Sequence, residues 1–333
     1  MSRARFISLV TFCTLGSIAT QLRFCPHGSG PNKIYSNSEI SSTPDPLSPK
    51  MPTSFPLALP YYMPTRRLPA PLPSIAEITS SKQVLSAQRG ERFVVRVGEH
   101  YVVKYGPDID LIEGENMLFV RESCNIAVPE VYALFCDKTN VKYIIMEYVP
   151  GENLMSQWRN LNESAKANIA AKLRIYFDEL RRIPAQGYYG KLGRRAYFDE
   201  IFMSLEDDSH KRICGPFETE SQFIEAIVER YFETDYPQRG EYLRRVLPTV
   251  LIGHLPVFTH NDLQRKNIIV RNDGTPCIVD WESAAFYPKY YEYYSAMIAF
   301  GHYKDDWHVW VGTMLHEYVA ELGWLDTIRR ELF

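Results

Sequence analysis

Three oxygen-bearing side chains, those of Asp262, Asn267 and Asp280, interrupt the otherwise apolar, strand-like segment 258–294. Proteins bind Mg²⁺ through oxygen atoms, most often those of one or two carboxylates. A carboxylate held in place can also act as a general base toward a hydroxyl group. The three side chains therefore predict a phosphate-handling site that includes a divalent cation.

The spacing of these residues matches a catalytic-loop pattern. His260-Asn261-Asp262 followed by Asn267 has the form HxDxxxxN, in which the Asp accepts or orients a substrate hydroxyl and the Asn holds metal. We therefore assign His260 and Asp262 to the catalytic centre. In the alternative interpretation, the Asp and Asn cap turns and the His is a core residue. That alternative does not explain why three polar side chains converge at one end of a hairpin.

The convergence of Asn267 and Asp280 follows from a predicted hairpin. The runs 268–270 and 277–279 predict two short buried strands, and Asp273-Gly274 between them is typical of a two-residue turn. Such a turn places Asn267 directly opposite Asp280 in a non-hydrogen-bonded pair, with Cβ atoms roughly 4.5–5.5 Å apart. This register predicts Asn267 and Asp280 as the metal ligands.

A phosphate site also needs a cation, and the β-rich run 101–105 supplies Lys104. A lysine on a half-buried strand resembles the strand lysine of kinases that grips the α- and β-phosphates. The alternative is an edge-strand lysine that protects against aggregation. The predicted helix 111–123 carries Glu113 and Glu115, one of which should pair with Lys104. Local spacing does not choose between them.

The elements between these residues predict two lobes. Strands at 131–136 and 143–148 are followed by Pro150-Gly151, which breaks the sheet as a hinge would require. An adenine ring laid in the crevice between the lobes would bond the backbone near Glu147–Val149. We therefore assign Glu147 and Val149 to nucleotide binding.

Beyond the hinge the pattern becomes helical. Apolar residues at helical spacing run through 169–180 and through 307–322, and both stripes predict core-facing helices. The expected fold class is α+β, with a small β-rich lobe at 73–149 and a larger, mostly helical lobe at 150–333 that holds the catalytic hairpin.

Composition limits the other possibilities. The 333-residue chain has a net charge of −3 and no basic run, which argues against nucleic-acid binding. Its six cysteines lack the spacing of a zinc site or disulfide framework. Residues 1–72 are rich in Pro and Ser and predict a flexible leader. Arg3 and Arg5 precede an apolar run, which leaves mitochondrial or secretory targeting open, but the cysteines and the expected use of ATP favour the cytoplasm. No membrane association is expected for the mature domain.

From about Leu72 to the C-terminus, the sequence resembles the aminoglycoside-phosphotransferase-like (phosphotransferase enzyme) family of the protein-kinase-like superfamily, in particular its fungal branch. The matching segments are VVKYG, EGENMLFV, MEYVPGENL, FTHNDLQRKNIIV and IVDWESAAFYPKYYEY. The resemblance implies a bilobal kinase-like fold and ATP- and Mg²⁺-dependent phosphorylation of a small molecule's hydroxyl. It places Lys104 on the phosphates with Glu113 as its partner, makes Asp262 the base, and gives the metal to Asn267 and Asp280.

The chain departs from the family pattern at two places. His260-Asn261-Asp262 stands where the family usually has HGD, and HND is similar to choline and ethanolamine kinases. The loop that should cover the phosphates is not a GxGxxG, because only Gly90 and Gly98 are nearby.

Two other functions stay open at this point. A choline-type kinase could cage a quaternary ammonium with the tyrosines of 287–294, although clustered aromatic residues usually pack the core. A nucleotide-binding pseudokinase would act without transfer, but the intact set of polar residues argues against it. The acidic runs 206–208 and 218–220 could bind a cationic substrate, although such runs are usually solvated. The sequence names neither the acceptor nor the oligomeric state.

Overall fold

The computed structural model describes residues 55–88, 92–202, 213–299 and 305–333. A six-stranded antiparallel sheet forms the first lobe, in the spatial order β1-β5-β6-β4-β3-β2. Its strands are β1 (Tyr61–Tyr62), β2 (Val84–Gln88), β3 (Arg92–Val97), β4 (Tyr101–Gly106), β5 (Val131–Cys136) and β6 (Lys142–Glu147). Two helices accompany the sheet, α1 (Ile75–Thr79) and α2 (Ile112–Ser123).

The second lobe is mostly helical. Its helices are α3 (Leu154–Gln157), α4 (Glu163–Leu180), α5 (Glu220–Phe232), α6 (Pro237–Val250), α7 (Tyr291–Ile298), α8 (Trp307–Met314) and α9 (Val319–Leu332). Among its described residues are also five short strands: β7 (Gly151–Asn153), β8 (Pro256–Thr259), β9 (Ile268–Arg271), β10 (Pro276–Ile278) and β11 (Ala285–Pro288). Strand β9 pairs with both β10 and β7, and β8 pairs with β11. The predicted α+β class, with a small β-rich lobe and a larger helical lobe, is confirmed.

One of three hydrophobic clusters among the described residues includes side chains of both lobes. Phe119 on α2 contacts Phe258 on β8, with ring centroids 4.8 Å apart, and both side chains are buried. The amphipathic stripe of α4 is buried as predicted, at Ile169, Leu173 and Leu180 among others. None of the helices in the described part of the chain has the length and apolar character that crossing a membrane requires.

The apolar stripe predicted at 307–322 is divided between two helices. The chain forms α8 and α9, and Leu315 between them is extended, with φ −116° and ψ 157°. Leu315 and Leu325 are nevertheless buried. Two helices that face the same core therefore give the same apolar spacing as one, and periodicity alone does not separate them.

The sheet begins earlier than the predicted boundary at residue 73. Tyr61 and Tyr62 form β1, in which Tyr61 lies opposite Leu134 of β5. The Met63 amide then donates to the Tyr132 carbonyl at 2.8 Å, and the Met63 side chain is buried. The Pro-rich composition indicated a leader, but proline is also compatible with an edge strand. The remainder of the predicted leader, residues 1–54, lies outside the described residues.

Glycine at position 114 allows α2 to approach the sheet. A Cβ at Gly114 would lie 2.1 Å from Cδ2 and 3.0 Å from Cδ1 of the Leu134 side chain, which is fully buried. The contact sets the distance between α2 and β5. It therefore also sets the position of Glu113, the preceding residue.

We predict that Gly114→Ala lowers the free energy of unfolding by about 1–3 kcal/mol, because overpacking outweighs the better helix propensity of alanine. Urea denaturation measures the change. Gly323→Ala in α9 is the matched control, since nothing lies within 4 Å of an added Cβ there. Gly323→Ala should be more stable than the wild type by up to about 1 kcal/mol. Equal stabilisation by both substitutions would contradict the role of Gly114.

Candidate active site

Lys104 is the cation around which the polar side chains gather. It lies on β4 between Val94 of β3 and Ile144 of β6, so its backbone has a neighbouring strand on each side. The ammonium is 2.6 Å from Glu113 Oε2, and the side chain is only 12% exposed. It is also 2.9 Å from Asp280 Oδ1 and 3.3 Å from Glu282 Oε2.

These ion pairs change the acidity of the groups involved. Burial alone would lower the pKa of Lys104, but the three carboxylates around it raise that pKa above its ordinary value. Burial raises the pKa of Glu113 to about 7, and Lys104 offsets this only in part. At Asp280 the balance is reversed: burial opposes ionisation, yet Lys104 brings the pKa below its usual range.

The structure distinguishes the two glutamates that local spacing left open. Glu113 pairs with Lys104, as the family resemblance implied. The buried Glu115 carboxylate accepts from both terminal nitrogens of Arg195, at 3.0 and 3.1 Å. Its Oε2 also lies 3.4 Å from the Leu57 amide. Glu115 therefore stabilises contacts on another face of α2.

The predicted register of the catalytic hairpin is wrong by one residue. The turn contains Asn272, Asp273 and Gly274: the Gly274 amide donates to Arg271 O at 2.8 Å, and Gly274 has φ +76°. A three-residue turn with a left-handed glycine is a common alternative to the two-residue turn. Cys277 consequently lies opposite Ile269. The Val279 amide donates to Asn267 O, so Asn267 faces Val279 and not Asp280.

Asn267 and Asp280 nevertheless line the same cleft with Lys104. Asn267 ends a 3₁₀ turn, Arg265–Asn267, that precedes β9. Asp280 has φ +65° and ψ 61°, a left-handed conformation that Asp tolerates better than most residues. These two departures from strand geometry bring the side chains to one cleft.

Asp262 is hydrogen-bonded to Asn267, which lines this cleft. Its Oδ2 accepts from Asn267 Nδ2 at 2.7 Å, and Lys266 Nζ is 3.3 Å from the same oxygen. Gln264 Nε2 donates to Oδ1. The carboxylate is therefore oriented by three neighbours while its side chain stays 25% exposed.

His260, which we predicted to be catalytic, lies in the core, where its ring contacts the backbone of Asp262. It is fully buried against Trp281, with ring centroids 4.6 Å apart. The Asp262 amide lies 3.2 Å from Nδ1, and Nε2 lies 3.1 Å from the Val279 carbonyl oxygen. Because Nδ1 accepts, Nε2 carries the proton. The HxD pattern alone does not show which way the imidazole points.

Sequence reasoning missed Glu292, which anchors the catalytic loop. This glutamate on α7 is fully buried and accepts from the His260 amide at 2.8 Å and the Asn261 amide at 3.2 Å. It is the one acid within the tyrosine-rich run KYYEYY, and that isolation is the signal that could have identified it.

The change from HGD to HND is compatible with the fold of the loop. Asn261 has φ +65°, a region that glycine prefers and asparagine tolerates. Its Nδ2 is 3.3 Å from both Asp199 Oδ2 and the Tyr287 hydroxyl. Asparagine thus keeps the left-handed backbone and adds bonds that glycine would lack.

Two cavities meet at the bond between Asp262 and Asn267. The interlobe cleft, of about 400 Å³, is lined by the predicted phosphate, hinge and metal residues Lys104, Glu113, Glu147, Val149, Asn267 and Asp280. The Asp262 pocket, of about 310 Å³, is lined by Asp262, Asp199, Glu200, Phe198 and Arg329 among others. Asn267 lines the first cavity and Asp262 lines the second, and the two side chains are hydrogen-bonded at 2.7 Å.

A model of the phosphotransferase enzyme family matches residues 79–330. The chain belongs to this family. No curated protein sequence matches it. Similar solved structures include aminoglycoside phosphotransferase APH(4)-Ia, with 14% identity over 78% of this chain and 81% of that chain, and a TM-score of 0.46. The gentamicin complex of APH(2")-IIa has 18% identity over 75% and 79% of the two chains, and a TM-score of 0.47. ADP-bound APH(2'')-Ib has 19% identity over 75% and 80%, and a TM-score of 0.46.

In this member of the phosphotransferase enzyme family, the hinge is bonded to the catalytic hairpin. Arg271 Nη2 donates to Glu147 Oε1 at 2.8 Å, and Glu147 Oε2 accepts from the Glu130 amide at 3.2 Å. The Glu147 carboxylate is thus occupied, and the Glu147 amide donates to the Glu130 carbonyl at 2.8 Å. At Gly151 a Cβ would lie 2.3 Å from Val270 O, so the backbones approach too closely for any other residue.

The tyrosines of 287–294 are core residues. Tyr287, Tyr290 and Tyr291 are at most 2% exposed, and the rings of Tyr287 and Tyr291 stack at 4.2 Å. These three side chains are packed in the core, whereas Tyr294 lines the Asp262 pocket. Among the acidic runs, Glu220 accepts from the backbone amides of Gly253 and His254, while residues 206–208 lie outside the described part of the chain.

The donor set fits Mg²⁺. Asn267 directs its Nδ2 toward Asp262, which leaves its amide oxygen for a cation. Carboxylate oxygens of Glu113, Asp280 and Glu282 lie within 4.8 Å of one another. Oxygen-only donors of this kind suit a hard divalent cation. Glu282, two residues after Asp280, was not predicted.

We predict a specific pH dependence of stability at Glu113. Its native pKa of about 7 is above the ordinary value of 4.5, so the folded state binds the proton more tightly than the unfolded state. The contribution of Glu113 to stability is therefore full below about pH 4.5 and is lost as the pH rises through 7. Relative to Glu113→Gln, the wild type should lose on the order of 1–3 kcal/mol across this range.

Urea unfolding of both proteins across this pH range measures the difference. Glu122→Gln, an exposed position in the same helix, is the control and should parallel the wild type. If the free energy of unfolding depended on pH in the same way for the wild type and Glu113→Gln, the raised pKa of Glu113 would be disproved.

Proposed function

We propose that the protein is an ATP- and Mg²⁺-dependent phosphotransferase that moves the γ-phosphate to a hydroxyl of a small molecule. One observation carries the proposal. Asp262 faces one cavity and is bonded to Asn267, which faces another cavity together with Lys104 and Asp280. A nucleotide in the interlobe cleft and an acceptor in the Asp262 pocket would meet at that bond.

Each polar residue has a role in this scheme. Lys104 binds the phosphates and is oriented by Glu113, while the hinge main chain at Glu147 and Val149 contacts the base. Asn267 and Asp280 hold Mg²⁺, which neutralises charge on the phosphate oxygens when bound.

Asp262 orients the acceptor hydroxyl and takes its proton. Asn267, Lys266 and Gln264 hold the carboxylate in place. His260 and Glu292 fix the loop backbone on the opposite side. General base catalysis of this kind contributes typically about 10²–10⁴-fold.

Charge in the Asp262 pocket favours a cationic acceptor. Three carboxylates, of Asp199, Glu200 and Asp262, line it with one arginine, Arg329. Arg329 is 3.8 Å from Glu200, too far for a strong pair. Hydroxyl compounds that carry an amine, such as amino sugars and amino alcohols, therefore fit better than anionic ones. The burial of Tyr287, Tyr290 and Tyr291 argues against a choline-type kinase, because buried rings do not surround a quaternary ammonium group. A leader function for residues 1–54 and a cytoplasmic location stay predictions.

We predict that Asp262→Asn lowers kcat by about 10²–10⁴-fold and leaves the affinity for ATP within about twofold, since the carboxylate acts on the acceptor. ATP turnover with amino sugars, amino alcohols and neutral sugars measures kcat, and calorimetry measures ATP binding.

Asp273→Asn in the hairpin turn is the matched control, because Asp273 is exposed and asparagine also suits the turn. It should retain wild-type turnover. Full turnover by Asp262→Asn would exclude Asp262 as the base. ATP binding by the wild type without transfer to any acceptor would instead support a pseudokinase.

A further inference from the structure

Arg92 occupies the side of the interlobe cleft where the sequence lacks a GxGxxG loop. It is the first residue of β3, and it lines the cleft together with Val94 of the same strand and Val102 and Lys104 of β4. Side chains two apart on a strand share a face, so Arg92 is directed into the cleft for the same reason as Val94.

Two cations meet at one carboxylate oxygen beside this strand. Arg92 Nη1 is 3.4 Å from Glu282 Oε2, and Lys104 Nζ is 3.3 Å from the same atom. An anionic oxygen is thus held between a guanidinium and an ammonium group. A phosphate oxygen has the same charge and similar hydrogen-bonding geometry, so this position also suits a phosphate.

Among the ion pairs of Arg92 and Lys104, the contact between Arg92 and Glu282 is the one that a phosphate could replace most easily. Lys104 has two closer carboxylates, whereas Glu282 is the sole carboxylate within 4 Å of Arg92 among the described residues. The side chains of Arg92 and Glu282 are 30% and 34% exposed, so water already reaches both. An exposed pair at 3.4 Å contributes little to stability.

We propose that Arg92 binds the phosphate chain of the nucleotide and supplies the contacts that a glycine-rich loop would make through backbone amides. Glu282 holds the guanidinium in position until the phosphates take its place. Arginine suits this role because its planar group can donate two parallel hydrogen bonds to one phosphate. The inference rests on the proposed use of ATP in this cleft.

The test compares Arg92→Gln, Arg92→Lys and the wild type in calorimetric binding of Mg²⁺-ATP, ADP and adenosine to the full chain. Loss of a charge-assisted contact should raise the Kd for ATP by about 10- to 100-fold in Arg92→Gln, and leave the Kd for adenosine within about twofold. Arg92→Lys should recover part of the ATP affinity. Arg67→Gln is the control, because Arg67 lies in the same lobe, pairs with Glu130 at 3.1 Å and does not line the cleft.

The adenosine measurement separates phosphate binding from a structural role. An equal loss of ATP and adenosine affinity in Arg92→Gln would show that Arg92 only maintains the cleft and would overturn the proposal. Unchanged ATP affinity would overturn it as well, while leaving the proposed function intact. If the wild type binds neither ATP nor adenosine, the proposed function fails and this inference fails with it.

Discussion

The burial of the Lys104 ammonium is the constraint on which both lobes depend. An ammonium taken out of water is strongly unfavourable unless carboxylates replace the lost hydration. Here one carboxylate comes from α2 and two come from the segment that follows the catalytic hairpin. The first lobe therefore buries its charge only with the help of the second. The arrangement of the cleft is a result of this electrostatic requirement as much as of hydrophobic packing.

A second buried charge organises the opposite side of the site. Glu292 accepts from two successive loop amides, and Arg181 contributes a favourable charge interaction with it. The loop needs this support because Asn261 is left-handed and exposes two backbone donors in the core. The segment then presents Asp262 at the surface of its pocket. A buried carboxylate thus positions an accessible one.

Much of this arrangement could be predicted from the sequence. The strand that carries Lys104, the hinge and the set of residues that share the cleft followed from local patterns and from the family resemblance. The hairpin register could not be predicted, because two- and three-residue turns that contain Asp-Gly are both favourable, and one residue changes every partner. Glu292 and Glu282 were missed because their partners are distant in sequence and belong to no periodic pattern. The edge strand at Tyr61 was missed because the leader was assigned from the average composition of residues 1–72. That average does not show that a few residues near its end pair with the sheet.

The close contact of Gly114 with Leu134 has an evolutionary consequence. The glycine stands between Glu113 and Glu115, and the leucine fills the space that a side chain at 114 would need. A larger residue at 114 would displace either the Leu134 side chain or α2 itself. In diverging relatives, a larger residue at 114 should accompany a smaller one at 134. Substitutions at these two positions should therefore be coupled in evolution, although neither residue touches a substrate.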